Sequence, residues 1–124
     1  PTYLAALNVF KTFEGRMIEV QTDQDGMIVS DLERILATTA NVKLIYVIPT
    51  FQNPSGKTWS FERKKQILAV ADRYDIAVIE DAPYEELRYS GEFTLPMFSI
   101  SEPAVFLKFY VRVFGLCGSV QRPK

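Results

Sequence analysis

The sequence predicts an α/β fold, a mainly parallel sheet with helices covering its faces in three α/β/α layers. Two observations carry that expectation. Short, nearly continuous apolar runs, KLIYVI at residues 43–48 and IAVI at residues 76–79, are bounded by turn residues and read as strands buried on both faces. A segment with helical periodicity lies between them and another precedes the first, and strands alternating with helices of about ten to fifteen residues imply βαβ units with right-handed crossovers.

Taken in order, residues 4–13 carry apolar side chains at Leu4, Leu7, Val9 and Phe10, which suits a short helix ending before Glu14-Gly15. Residues 17–20 then read as a strand. Asp25-Gly26 marks a turn, and Ser30-Asp31-Leu32-Glu33 has the pattern of a capping box, in which Ser30 and Glu33 satisfy each other's backbone amides. A helix over about residues 31–39 follows. The 43–48 strand stops at Pro49, and the loop of residues 50–58 leads to Ser60, a good N-cap. The next helix is expected to pack Phe61, Ile67, Leu68, Val70 and Ala71 inward while Arg63, Lys64, Lys65 and Asp72 face water. The 76–79 strand runs into Glu80-Asp81, after which Pro83 and Glu85-Glu86-Leu87 suggest a short helical turn. Residues 104–114 (AVFLKFYVRVF) are a further strand candidate, although Lys108 and Arg112 fit a fully buried central position poorly.

A chain of 124 residues holds at most one fold unit, and 48% hydrophobic against 23% charged residues exclude disorder of the whole. Fourteen Lys and Arg against fifteen Asp and Glu leave a net charge of −1, with no basic excess to neutralise nucleic-acid phosphates. The absence of histidine removes Ser-His-Asp and Cys-His chemistry and nearly all catalytic zinc sites. The single Cys117 cannot close an internal disulfide and has no metal-ligand spacing around it. No metal site is expected, and a reduced, cytoplasmic setting is. No apolar run approaches the roughly 20 residues that span a bilayer. The chain opens on Pro1 without a signal-like segment and reads as a piece of a longer protein.

In open α/β sheets ligands collect beyond the carboxyl ends of parallel strands. Two loops qualify: residues 49–56 after the first buried strand, and Asp81-Ala82-Pro83-Tyr84 after the second. Asn53, before Pro54, is held out of the α region, so its amide is either presented with little freedom or simply part of a plain turn. A carboxylate at the end of a buried strand needs a partner, so Asp81 either meets a ligand cation or caps the following turn.

These residues together resemble the pyridoxal-phosphate-dependent aminotransferases of class I/II, fold type I, and within them the branch containing 2-aminoadipate and broad-specificity aminotransferases. The resemblance is carried by IYVIPTFQNPSGKTWSFERKKQILAVADRYDIAVIEDAPYEELRYSGE, by the opening PTYLAALNVF and by DQDGM, and it covers roughly residues 1–98. QNPSG, the VIED-x-x-Y signal and a helix of the right length between them occur jointly, which makes it specific. By that resemblance Asp81 pairs with the protonated pyridine nitrogen of pyridoxal phosphate, Asn53 and Tyr84 bond its phenolic oxygen, and Tyr3 stacks on its ring. The fold becomes a partial large domain: residues 1–103 belong to the cofactor-binding domain and residues 104–124 form a divergent or truncated segment.

Family members continue with a strand reading like VIYLGTFSK, whose lysine attaches covalently to the cofactor. Aligning Val105-Phe106-Leu107 on the IYL of that strand puts Arg112 at the lysine position, and arginine, always protonated, cannot replace it. Lys108 lies four residues earlier, about 13 Å along an extended strand. No residue of the chain therefore takes a catalytic role. The resemblance implies a fragment of an enzyme moving an amino group between an α-amino acid and a 2-oxo acid, inactive alone and homodimeric in its parent, with no contact to membrane or nucleic acid. A second reading is the effector-sensing domain of a winged-helix transcription regulator, and a third is a non-catalytic protein that has lost its lysine.

Overall fold

The computed structural model describes residues 2–100 and 106–109. Three helices, α1 (Leu4–Thr12), α2 (Val29–Thr38) and α3 (Phe61–Arg73), accompany three strands, β1 (Leu44–Val47), β2 (Ala77–Asp81) and β3 (Phe106–Phe109), with a 3-10 turn at Met97–Ser99. The strands form one parallel sheet in the order β1-β2-β3. Tyr46 lies opposite Ile79 and Val47 opposite Glu80 across β1 and β2, while Glu80 lies opposite Lys108 and Asp81 opposite Phe109 across β2 and β3.

Strand alternation sorts the residues by face. Ile45, Val47 and Val78 join Leu32 and Leu36 of α2 and Ile67, Leu68 and Val70 of α3 in one core, closed by Trp59 and Met97. Tyr46, of opposite parity, meets Phe10 of α1 edge-on, with ring centroids 5.5 Å apart and planes at 71°. The expected three layers are therefore present, α2 and α3 on one face and α1 on the other. The second face is thinly covered, because α1 has no buried residue.

Helix α3 forms for reasons readable in its sequence. Ser60 Oγ accepts the Arg63 N–H at 3.2 Å, Glu62 lies in the first turn and Arg73 in the last, matching the helix dipole. Lys64, Ile67, Leu68 and Ala71 make one buried stripe at i, i+3, i+4 and i+7. Each large apolar member contributes about 1.5–3 kcal/mol by leaving water. Lys64 corrects the expectation of a water-facing side chain: its stem fills the stripe while its ammonium donates to the Leu95 carbonyl at 2.9 Å. Arg63 turns inward too, donating to both carboxylate oxygens of Asp23 and to the carbonyls of Gly26 and Met27. Phe61 is instead 44% exposed, because it opens the helix ahead of the stripe, beside the Lys65 ammonium.

Three further expectations change. Helix α2 begins at Val29, with Ile28 as an N-cap that makes no side-chain bond, so Ser30 is inside the first turn and no capping box forms. Asp31, in the first turn, matches the helix dipole and accepts the Gln21 N–H at 2.8 Å and the Arg34 guanidinium at 2.6 Å. Residues 17–20 form no ladder; no strand lies beside them among the described residues, and the nearby pairing is a single antiparallel bridge from Thr22 to Met27. Strand β1 is buried on one face only, since Leu44 is exposed and Tyr46 half-buried. Residues 85–87 complete a turn, closed by the Leu87 N–H on the Tyr84 carbonyl at 3.0 Å.

The turn at residues 23–26 needs its glycine. Gly26 has φ +118°, and a Cβ there would come within 2.5 Å of the Trp59 ring. A cavity of about 910 Å³ lies between α1, residues 15–20, α2 and the free side of β1, with Phe10, Met17, Leu36, Ile45 and Tyr46 among its walls.

Candidate functional site

Strands β1 and β2 are neighbours and parallel, so their carboxyl ends deliver two loops side by side. The first loop is wound around Gln52. Its backbone N–H donates to Lys57, its carbonyl accepts from Gly56, and its side-chain oxygen accepts both the N–H of Ser55 at 2.9 Å and the Ser55 hydroxyl. Its amide nitrogen donates to the Asn53 carbonyl at 2.7 Å. Asn53 is thereby fixed through its backbone, half-buried, and its side-chain amide makes no hydrogen bond with a described residue. The Asn53-Pro54 peptide is cis.

The second loop begins at Asp81, the last residue of β2. The Tyr46 hydroxyl donates to its Oδ2 at 2.5 Å. Tyr46 lies opposite Ile79, two residues before Asp81, so the register puts both side chains on the face that α1 covers. The Tyr46 hydroxyl is held well above the usual tyrosine range by burial first, then by its bond to Asp81 and the charge of that carboxylate, with a further push from nearby Tyr3. Asp81 Oδ1 accepts no hydrogen bond from a described residue. The neighbouring Glu80 points to the other face, fully buried, and accepts the N–H groups of Met97 at 3.0 Å and Phe98 at 3.4 Å. Two adjacent carboxylates thus do different work: one anchors the core, the other is presented at the strand end.

Tyr3, the N-cap of α1, is 44% exposed and adds the smallest push to the raised pKa of the Tyr46 hydroxyl. Tyr84 is 38% exposed, in the turn after Asp81. No hydrogen bond joins Asn53 or Tyr84 to Asp81 among the described residues. The large cavity touches this region through Tyr46 and Gln52 but is lined by none of Tyr3, Asn53, Asp81 and Tyr84, so it lies beside the site. Among the described residues no group of three or more His, Cys, Asp or Glu could hold a metal ion. Arg112 and Cys117 lie outside the described residues. Lys108 takes the register position opposite Glu80, one residue away from that of Asp81.

Reading the sequence alone missed Tyr46 and Gln52. Tyr46 was signalled by its hydroxyl in an otherwise apolar strand, which needs a partner when buried. Gln52 was signalled by its place in a run of short polar residues that can fold onto one side-chain amide.

In parallel α/β sheets ligands collect at the carboxyl edge, and here the adjacent ends of β1 and β2 bring Asn53 and Asp81 there. Residues 1–95 match the family model described as Aspartate amino-transferase, and the chain belongs to that family. It is 46% identical over 101 residues to aromatic-amino-acid aminotransferase 1 of Thermococcus litoralis, covering 78% of this chain and 24% of the relative. Among solved structures, the kynurenine aminotransferase of Pyrococcus horikoshii, in complex with PMP, KYN and KYA, superposes with a TM-score of 0.83 at 39% identity, over 89% of this chain and 28% of that one. The multiple substrate aminotransferase of Thermococcus profundus gives 0.82 at 40%, over 90% and 28%. The chain spans about a quarter of the length of the curated relatives it matches.

Proposed function

We propose that this chain is part of the large domain of a pyridoxal-phosphate-dependent aminotransferase that moves an amino group between an α-amino acid and a 2-oxo acid. The observation that carries the reading is Asp81: a carboxylate at the end of a central parallel strand, anchored through Oδ2 by Tyr46, with Oδ1 accepting no bond from a described residue and Asn53 on the neighbouring loop. That donor set fits the cofactor. Asp81 would hold the protonated ring nitrogen, Asn53 and Tyr84 would bond the phenolic oxygen, and Tyr3 would stack on the ring. When bound, pyridoxal phosphate supplies an electron sink for the pair released as the amino acid loses its α-proton. The chain's own residues orient the ring and keep a proton on its nitrogen by setting a negative charge beside it.

In the same reading residues 1–103 belong to the large domain and residues 104–124 form a divergent or truncated segment that lacks the cofactor-linking lysine. The chain by itself then has little or no turnover, and the parent is a cytoplasmic homodimer of amino-acid metabolism. No helix among the described residues is long and apolar enough to cross a membrane. The relatives named above are all aminotransferases by name, which favours the enzyme over the effector-sensing domain. In the intact parent protein, Asp81→Asn is expected to lower kcat/KM for transamination about 100-fold, the loss of a charge-assisted contact. Full activity in that variant, measured with a panel of aromatic and acidic amino acids and 2-oxoglutarate, would overturn the reading.

A further inference from the structure

We infer that Tyr46 is a positioning residue, one that fixes which oxygen Asp81 presents to the cofactor ring; this rests on the reading of Asp81 just given. A carboxylate at the end of one side-chain bond rotates easily, because the terminal torsion of aspartate is broad and roughly two-fold. Something must select its plane. In this fold the Tyr46 hydroxyl does so, reaching Oδ2 at 2.5 Å from 35 residues away in sequence. Its own aim is set twice over. The β1–β2 register holds Tyr46 opposite Ile79, and Phe10 of α1 packs edge-on against its ring at 5.5 Å. Burial and the adjacent carboxylate keep the hydroxyl protonated, so it acts as a donor toward Asp81. Oδ1 is then the oxygen left to meet a cationic N–H, and Phe10 of α1 takes part in the site by packing on Tyr46.

The test uses the intact parent protein as Tyr46→Phe, Asp81→Asn and the double variant. Affinity for pyridoxal phosphate is measured by equilibrium dialysis, and the visible absorption of the bound cofactor is recorded beside it. Tyr46→Phe keeps the ring and its Phe10 contact and removes one oxygen, and a thermal melt checks that it folds. It is expected to weaken the cofactor about tenfold and to change its spectrum, yet to alter affinity less than twofold when Asp81 is already asparagine. Equal losses in both backgrounds would overturn the inference, since Tyr46 would then act on the fold and not through Asp81. A Tyr46→Phe protein with the parent's affinity and spectrum, alongside a weakened Asp81→Asn, would overturn this inference alone. An Asp81→Asn protein with unchanged affinity would overturn the reading of Asp81 itself.

Discussion

Asp23 illustrates how a single side chain can tie a turn to a helix. Its carboxylate receives the Arg63 guanidinium at 2.9 and 3.1 Å and the Asp25 N–H at 2.8 Å, and the Arg63 bond is the main reason its pKa lies below the usual carboxylate value. A depressed folded-state pKa contributes stability that is fully present above the unfolded value, about 3.9, and is lost as pH falls through the folded one. The stability difference between the native protein and Asp23→Asn should therefore be flat above about pH 5 and shrink below about pH 4. Urea unfolding of both proteins across that range measures it, and a difference that persists undiminished in acid would contradict the argument. Arg63 holds the same turn by a second route, through the carbonyls of Gly26 and Met27, so its charge is not dispensable once Asp23 is neutral.

Among the elements, α3 separates local from tertiary causes. Its start is a local matter: Ser60→Ala removes the hydroxyl that accepts the Arg63 N–H and should cost about 1 kcal/mol, read from the shift in a denaturation midpoint. Its packing is a tertiary matter. Ile67, fully buried in the core, should cost about 2–5 kcal/mol as alanine, since the cavity left behind cannot close completely. A cap variant that costs as much as the core variant would show that Arg63 loses its inward network along with the cap. Strand β1 makes the complementary point: four residues bury alternately, so its one polar tip emerges beside Asp81 and becomes part of the site.

Across the whole molecule, protection against amide exchange should follow how each element is covered. β2 lies between β1 and β3 and under α3, with Val78 and Glu80 fully buried, whereas α1 contributes no buried residue. Exchange measured by mass spectrometry on the 124-residue chain should therefore be slowest in β2 and α3 and fastest in α1. Slow exchange in α1 would mean that it is covered by something beyond its contact with Tyr46. The cavity between α1, residues 15–20 and β1 agrees with that ranking, since side chains facing open space lose packing contacts.

The sequence by itself determined the alternation of helices and strands, the parallel sheet, the Ser60 cap and the two loops that carry Asn53 and Asp81, because each depends on periodicity or turn chemistry within a few residues. It also sufficed for the family, through QNPSG and VIED-x-x-Y together. Only the tertiary structure decided which charged residues turn inward. Lys64 and Arg63 look solvent-facing on a helix read alone, and their partners at Leu95 and Asp23 lie 31 and 40 residues away. The same holds for Tyr46, whose role depends on the register between two strands separated by a helix. For residues 17–20, apolar enough to read as a strand, pairing is a property of neighbours and not of the segment, and hydrogen bonds between strands are made across space, where local sequence carries no record of them.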